Sequence, residues 1–170
     1  MSTTVTVDAP QVSEGRAWWF LDTLVVEHLV AADRLVVLEM TLPAGAAPPL
    51  HVHHCLADSW YLLAGEMVVR CGDRLRSANA GNWVSIPRGV PHIFRVVGGR
   101  PTRILTVHDD RSFLRLVHDL GQPAGRRELP EATGGPGAGE LSRSLAKHDV
   151  TTCGPPMSQE EADAFLAAQR

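Results

Sequence analysis

Short apolar runs separated by turn residues fill the chain from Arg16 to His108. Residues 36–42 show the pattern most clearly, because every second residue is apolar and the residues between them are mixed in character. This alternation is typical of a strand with one buried face. Further apolar runs occupy residues 60–63, 67–69, 83–86, 93–97 and 104–107, with turns that contain glycine or proline between them. Short strands at this regular spacing predict an all-β barrel or sandwich.

The apolar spacing changes to that of a helix after Ser112. Apolar residues recur at positions 113, 116, 117 and 120, with Ser112 as the expected N-cap and Gly121 as the expected stop. Residues 140–148 predict a second short helix. The capping-box sequence from Ser158 to Glu161 predicts the start of a third.

These patterns divide the chain into three parts. We expect an N-terminal arm of residues 1–15, a β barrel of residues 16–110, and a helical tail of residues 111–170 that packs on the barrel. Residues 122–139 are rich in Gly, Pro and Ala, and they predict a loop within the tail.

The composition is that of a globular domain of 170 residues with a formal net charge of −3. This charge argues against the strongly basic surface of a nucleic-acid binder, and no apolar run approaches the ~18 residues of a membrane span. Three scattered cysteines do not make a disulfide framework, and the first residues lack the basic start and apolar core of a secretory signal. We therefore expect a cytoplasmic protein whose partners are small molecules, with no nucleic acid and no membrane.

Histidine is the unusual component, because the chain has eight and three of them lie between His51 and His54. His51 and His53 are two residues apart, so on a strand they share one face. Together with Asp58 and the more distant His92, they offer nitrogen and oxygen ligands to a divalent transition metal such as Fe, Mn, Ni, Cu, Co or Zn. The spacing therefore indicates a possible metal site.

The same histidines also have a simpler interpretation, as surface residues of a loop after two prolines, and spacing alone leaves both interpretations open. His54 alternates to the face opposite His51 and His53, so it is the weaker candidate ligand. Cys55 beside it has no assigned role. We assign the remaining histidines to ordinary surface or strand-end positions: His28, His108, His118 and His148.

Two motifs decide between these interpretations. Residues 45–65 read GAAPPLHVHHCLADSWYLLAG and resemble the first motif of the cupin family, G-x5-H-x-H-x(3,4)-E-x6-G. Residues 81–92 read GNWVSIPRGVPH and resemble the second motif, G-x5-P-x-G-x2-H. The spacing fits both motifs. The resemblance covers residues 16–110 and implies a double-stranded β-helix, or jelly-roll, barrel with a metal inside its mouth.

The resemblance also implies a ligand set for one divalent transition metal per chain: His51, His53, Asp58 and His92. The family's usual glutamate is Asp58 here, and its side chain reaches about 1.5 Å less far. We therefore expect Asp58 to bind the metal directly, to bind it through a water molecule, or to leave three histidines alone. The family's second-motif asparagine is Val96 here, at a position that usually concerns packing.

The tail is similar, more weakly, to single-domain cupins of the quercetin dioxygenase-like type. This resemblance implies a dioxygenase-type reaction on a small aromatic or enolic substrate, with Asp58 as the catalytic base that takes a hydroxyl proton. The first alternative is a redox-neutral Lewis-acid enzyme, such as a polyketide-type cyclase, isomerase or dehydratase. The second alternative is a non-catalytic module that binds a metal and a small ligand. Fold alone does not select among them.

Single cupin barrels commonly pair, so the resemblance also implies a homodimer. Residues 3–7 are the expected extra strand, because a jelly-roll barrel has edges that something must cover.

Overall fold

The structure is a computed structural model that describes residues 14–30, 35–131 and 137–169. The strands are β1 (Ala17–Phe20), β2 (Thr23–Val30), β3 (Val36–Leu42), β4 (Pro49–His53), β5 (Asp58–Ala64), β6 (Glu66–Cys71), β7 (Arg74–Asn79), β8 (Trp83–Ile86), β9 (His92–Val96), β10 (Thr102–His108), β11 (Gln122–Pro123) and β12 (Val150–Pro156). The helices are α1 (Ser112–Leu120), α2 (Ala138–Lys147) and α3 (Gln159–Ala167).

The strands form two antiparallel sheets. The order is β11-β1-β2-β3-β10-β5-β8 in the larger sheet and β12-β4-β9-β6-β7 in the smaller one. Side chains of both sheets share one buried core, with Leu38 and Leu62 from the first and Met67 and Val69 from the second. This jelly-roll barrel confirms the predicted all-β fold with a short helical C-terminal tail.

The alternation predicted for β3 is confirmed. Its apolar positions, Val36, Leu38, Met40 and Leu42, are buried, and the residues between them are partly exposed. β3 pairs with β2 on one side and with β10 on the other. The inner face of β10 therefore lies beside this apolar face, and it contributes to the same core.

The C-terminal tail contains a strand that its sequence pattern does not predict. β12 pairs with β4, with Val150 opposite His53 and Thr152 opposite His51. The amide of His54 also donates to the carbonyl of Asp149. The strand that carries two of the candidate ligands is therefore paired by the tail.

The helix ends follow local capping chemistry. α3 begins as predicted, because the Ser158 hydroxyl accepts a 3.0 Å hydrogen bond from the amide of Glu161. α1 ends at Gly121 as predicted, but Ser112 is its first residue rather than its N-cap. Arg111 is the N-cap residue, and the Ser112 amide donates a 2.7 Å hydrogen bond to the Asp110 carboxylate.

The proposed N-terminal strand of residues 3–7 lies outside the described residues, so the homodimer stays a prediction. Within the described part of the chain, no helix is long and apolar enough to cross a membrane.

One buried carboxylate ties α1 to the larger sheet. Glu27 on β2 is 5% exposed and accepts hydrogen bonds from Trp18 Nε1 at 2.5 Å, His118 Nε2 at 2.8 Å and Arg16 at 3.0 Å. Burial raises the pKa of Glu27, but the bonds from His118, Trp18 and Arg16 outweigh it and hold the pKa below its usual value. The group is therefore a carboxylate at neutral pH.

We expect Glu27→Gln to lower the free energy of unfolding by about 2 kcal/mol at pH 7, because charge-assisted hydrogen bonds are lost. The folded-state pKa of Glu27 lies below its ordinary value of 4.5, so its contribution is present above that pH and is lost as the pH falls further. Urea denaturation at pH 7 and below pH 4 measures both effects, and the gap between wild type and variant should narrow in acid.

Glu39→Gln is the matched control, since Glu39 lies opposite Val26 on the neighbouring strand and pairs with the exposed Arg103. A surface ion pair contributes only about 0–1 kcal/mol. Equal decreases in the free energy of unfolding for the two variants would show that the hydrogen bonds to Glu27 stabilise the fold no more than a surface ion pair does.

Candidate metal centre

The two sheet strands β4 and β9 bring three histidines together. His51 and His53 lie on one face of β4, and His92 opens β9 directly opposite His51. Ring centroids are 4.4 Å apart for His51 and His92, 5.0 Å for His51 and His53, and 5.4 Å for His53 and His92. One ligand nitrogen from each ring lies within 4.8 Å of the others. This group is able to hold a metal ion.

Backbone carbonyls fix the orientation of two of these rings. His51 Nδ1 lies 2.8 Å from the Pro49 carbonyl oxygen, and His92 Nδ1 lies 2.9 Å from that of Val90. A carbonyl only accepts, so each Nδ1 carries a proton, and in the neutral ring each Nε2 keeps a lone pair. His92 Nε2 is buried without a hydrogen-bond partner among the described residues. A buried nitrogen of this kind fits a metal ligand.

The protonation state of the cluster also fits a metal. Burial, together with the neighbouring His92, lowers the pKa of His51 to about 4. Burial lowers the pKa of His53 to about 3, although the Asp58 carboxylate acts in the opposite direction. Both rings are therefore neutral at pH 7, which is the form that binds a metal.

Asp58 opens β5 beside these histidines and is 6% exposed. Its Oδ1 accepts a 2.6 Å hydrogen bond from Trp60 Nε1 and lies 3.0 Å from His108 Nε2. Its Oδ2 lies 3.8 Å from the Nε2 atoms of both His53 and His92. Burial raises the pKa of Asp58, but His108 and the other imidazoles outweigh it, and the pKa lies well below its usual range. The charged carboxylate thus borders the cluster, and direct ligation by Asp58 stays a prediction.

His108 is the last residue of β10, so the expected strand-end position is correct, but its burial beside Asp58 is not predicted from the sequence. This residue is 1% exposed and pairs directly with Asp58 across β10 and β5. Its ring also packs edge-on against Phe113 at 5.0 Å. A signal was available in the sequence, because His108 has the same parity as Ile104 and Thr106, which are buried on β10. His148 is likewise buried, and its Nε2 lies 2.8 Å from Asp119.

His54 lies outside the cluster, as its opposite parity predicts. Its side chain is exposed, and its Nε2 lies 3.0 Å from the hydroxyl of Thr151 on β12. Cys55 is also exposed.

The turn in the second motif, which contains Gly89, is hydrogen-bonded to the strand that carries His51 and His53. Gly89 has φ +75°, a left-handed conformation that favours glycine. Its amide donates a 2.9 Å hydrogen bond to the carbonyl of His53. The glycine of the motif therefore connects the turn before His92 to the strand that carries the other two histidines.

The cluster opens into a cavity of about 390 Å³ within the barrel. His51, His53, Asp58 and His108 contribute to its wall, which is otherwise mainly apolar. Large apolar side chains of the wall include Phe20, Leu21, Met40, Leu42, Trp60, Phe94, Ile104, Phe113 and Leu141. Lysine and arginine are absent among the described residues that line it.

The family model of the cupin domain matches residues 38–108, which span β3 to β10 and include all four candidate ligands. Residues 38–108 form a cupin domain. The quercetin dioxygenase-like subtype stays a prediction.

Several solved structures are similar to this chain. The cupin domain of Schizosaccharomyces pombe Cnp3 is 16% identical over 59% of this chain and 74% of its own, with a TM-score of 0.49. A predicted oxalate decarboxylase from Thermotoga maritima is 22% identical over 51% and 78%, with a TM-score of 0.47. The polyketide cyclase RemF from Streptomyces resistomycificus is 29% identical over 64% and 79%, with a TM-score of 0.46. No curated protein sequence matches the chain.

We expect His51→Ala and His92→Ala each to abolish stoichiometric metal binding, because each removes one of three converging imidazoles. Metal per chain is measured by inductively coupled plasma mass spectrometry after purification and dialysis. His54→Ala is the control, since it deletes an adjacent imidazole that lies outside the cluster. Full metal content in both cluster variants would place the metal elsewhere.

We expect the metal-free protein to lose stability as the pH falls from about 6.5 to about 4. The folded-state pKa values of His51 and His53 lie below the ordinary value of 6.5, so the unfolded chain binds more protons in this interval. The loss for the two rings together is on the order of 5 kcal/mol, measured by urea denaturation at each pH. His53→Gln should flatten this dependence, and an unchanged slope would contradict the burial of a neutral ring.

Proposed function

We propose that the protein is a metal-dependent enzyme that carries out a dioxygenase-type reaction on a small aromatic or enolic substrate. The observation that carries this proposal is the convergence of His51, His53 and His92 beside the charged Asp58 carboxylate, with His51, His53 and Asp58 in the wall of a mainly apolar cavity. Pockets that bind small molecules commonly combine an apolar lining with a few convergent polar groups.

The lining of the cavity supports an uncharged, ring-containing substrate. Trp60, Phe94 and Phe113 offer aromatic surfaces against which a flat ring packs favourably. A small di-acid would find no lysine or arginine among the described lining residues, and burying an unpaired carboxylate is costly. A phenol or enol has one polar group to place at the histidines and an apolar body to place against the wall.

The residues that would hold the metal are His51, His53 and His92, with Asp58 as the candidate fourth ligand. A redox-active divalent metal would supply the electron transfer that dioxygen requires, together with Lewis acidity toward a substrate oxygen. The protein's own contribution is to orient the imidazoles through the Pro49 and Val90 carbonyls and to keep the surroundings apolar.

Asp58 is the residue we assign as the base. Trp60 and His108 both contact Oδ1, so they hold the carboxylate in one orientation. Oδ2 faces His53 and His92, and it is the oxygen positioned to accept the proton of a substrate hydroxyl. The low pKa of Asp58 keeps this oxygen unprotonated at neutral pH.

The contact between Asp58 and His108 favours a second candidate, a redox-neutral isomerase, cyclase or dehydratase. A carboxylate and an imidazole 3.0 Å apart are suited to moving a proton between two substrate positions without an oxidant. This candidate uses the same cavity and substrate class, so the metal and the oxygen requirement separate the two.

We expect the protein purified without added metal to contain Fe, Cu, Ni, Mn or Co and to consume oxygen with members of a panel of flavonols and naphthols. Asp58→Asn should lower kcat by about 10²- to 10⁴-fold because the base is lost. Asp109→Asn is the matched control, since Asp109 lies next to His108 but outside the cavity.

Oxygen electrode traces and metal analysis decide the outcome. Zinc as the sole metal, with product formed in the absence of oxygen, would favour the redox-neutral candidate. An unchanged kcat in Asp58→Asn would remove Asp58 from the catalytic machinery.

A further inference from the structure

The turn between β1 and β2 has an unusual backbone conformation for its sequence. Leu21 has φ +47° and Asp22 has φ +62°, and Phe20 pairs directly with Thr23 on either side of them. Among the residues that the structure describes, Asp149 is the remaining non-glycine residue with positive φ. Positive φ at both residues of a two-residue hairpin loop marks a type I′ turn.

Leucine is a poor choice for the first position of such a turn. Type I′ turns strongly favour Asn-Gly, because Asn tolerates the left-handed region and Gly has no Cβ to clash there. Asp22 is also tolerated in this region, whereas Leu21 gains nothing from a local hydrogen bond of its side chain. The hairpin itself could therefore form with less strain if residue 21 were Asn.

Core packing does not explain the leucine either. Leu21 is 37% exposed and is not a member of the buried clusters, whereas its neighbour Phe20 is 5% exposed and is. Leu21 and Asp22 both line the cavity that contains the histidines. A side chain that contacts both the cavity and solvent lies at the mouth of that cavity.

Packing connects this turn to the histidine cluster. Phe20 packs edge-on against Phe113 with ring centroids 5.9 Å apart. Phe113 in turn lies 6.1 Å from the His53 ring and 5.0 Å from the His108 ring. Aromatic contacts from Phe20 through Phe113 to the His53 and His108 rings therefore connect the hairpin to the candidate metal site.

We propose that Leu21 is a specificity-determining residue, which the strained turn presents at the cavity mouth to pack against the outer ring of a neutral aromatic substrate. This inference rests on the proposed function, because it requires an aromatic ligand whose hydroxyl lies at the histidines. Backbone strain persists where the surrounding structure enforces it, and strained residues cluster at ligand sites. The strain at Leu21 is thus the cost of placing an apolar group where the turn alone prefers Asn.

The test compares Leu21→Asn with Leu21→Met, using 2-naphthol as a two-ring probe and phenol as a one-ring probe. Dissociation constants are measured by calorimetry under nitrogen with the metal-loaded protein, so that no turnover occurs. Leu21→Asn should raise the Kd for 2-naphthol by about five-fold through lost apolar contact, with a smaller change for phenol. The same variant should raise Tm by about 2–4 °C because the turn is relieved.

Two controls separate strain from recognition. Leu21→Met keeps an apolar side chain, so its Kd for 2-naphthol should stay within about two-fold of wild type. Asp149→Gly relieves the other left-handed position, which does not line the cavity, so it should leave the Kd for both probes unchanged.

The outcomes are distinct. A Kd for 2-naphthol that is unchanged in Leu21→Asn, with Tm raised, would overturn the inference and leave the proposed function intact. A lower Tm in Leu21→Asn would show that Leu21 serves packing, and it would also overturn the inference. Failure of the wild-type protein to bind either probe would overturn both the inference and the aromatic substrate class of the proposed function.

Discussion

The direct pairing of His51 with His92 across β4 and β9 is the constraint on which the site depends. It joins residues 41 positions apart in the sequence and fixes two imidazoles 4.4 Å from each other. His53 then joins them because strand residues two apart share a face. The neighbouring elements stabilise this pairing: β12 pairs with β4 along its outer edge, and the Gly89 amide bonds to the His53 carbonyl.

A second constraint concerns the carboxylate. An aspartate in place of the cupin family's usual glutamate has a shorter reach, and Asp58 has Trp60 and His108 as close partners. The buried charge is therefore satisfied by protein groups while its second oxygen faces the histidines. The same arrangement accounts for the low pKa of Asp58 and for its proposed role as a base that is already deprotonated.

Local patterns in the sequence predict much of this site. Period-two spacing places His51 and His53 together, and motif spacing adds His92 and Asp58. The part that escapes prediction depends on pairings between distant strands. His108 meets Asp58 because β10 and β5 pair in one register, and a shift by one residue would turn its ring to the outside. β12 escapes for a similar reason, since its polar, glycine- and proline-containing sequence becomes a strand through its partner β4.

X-ray absorption spectroscopy of the metal-loaded protein tests the central claim most directly, because it counts the imidazoles bound to the metal. The arrangement of His51, His53 and His92 predicts three imidazole ligands, completed by oxygen, with no sulfur. A spectrum with fewer than two imidazoles, or with a sulfur ligand from a cysteine such as Cys55, would contradict the assignment of the metal centre to this cluster.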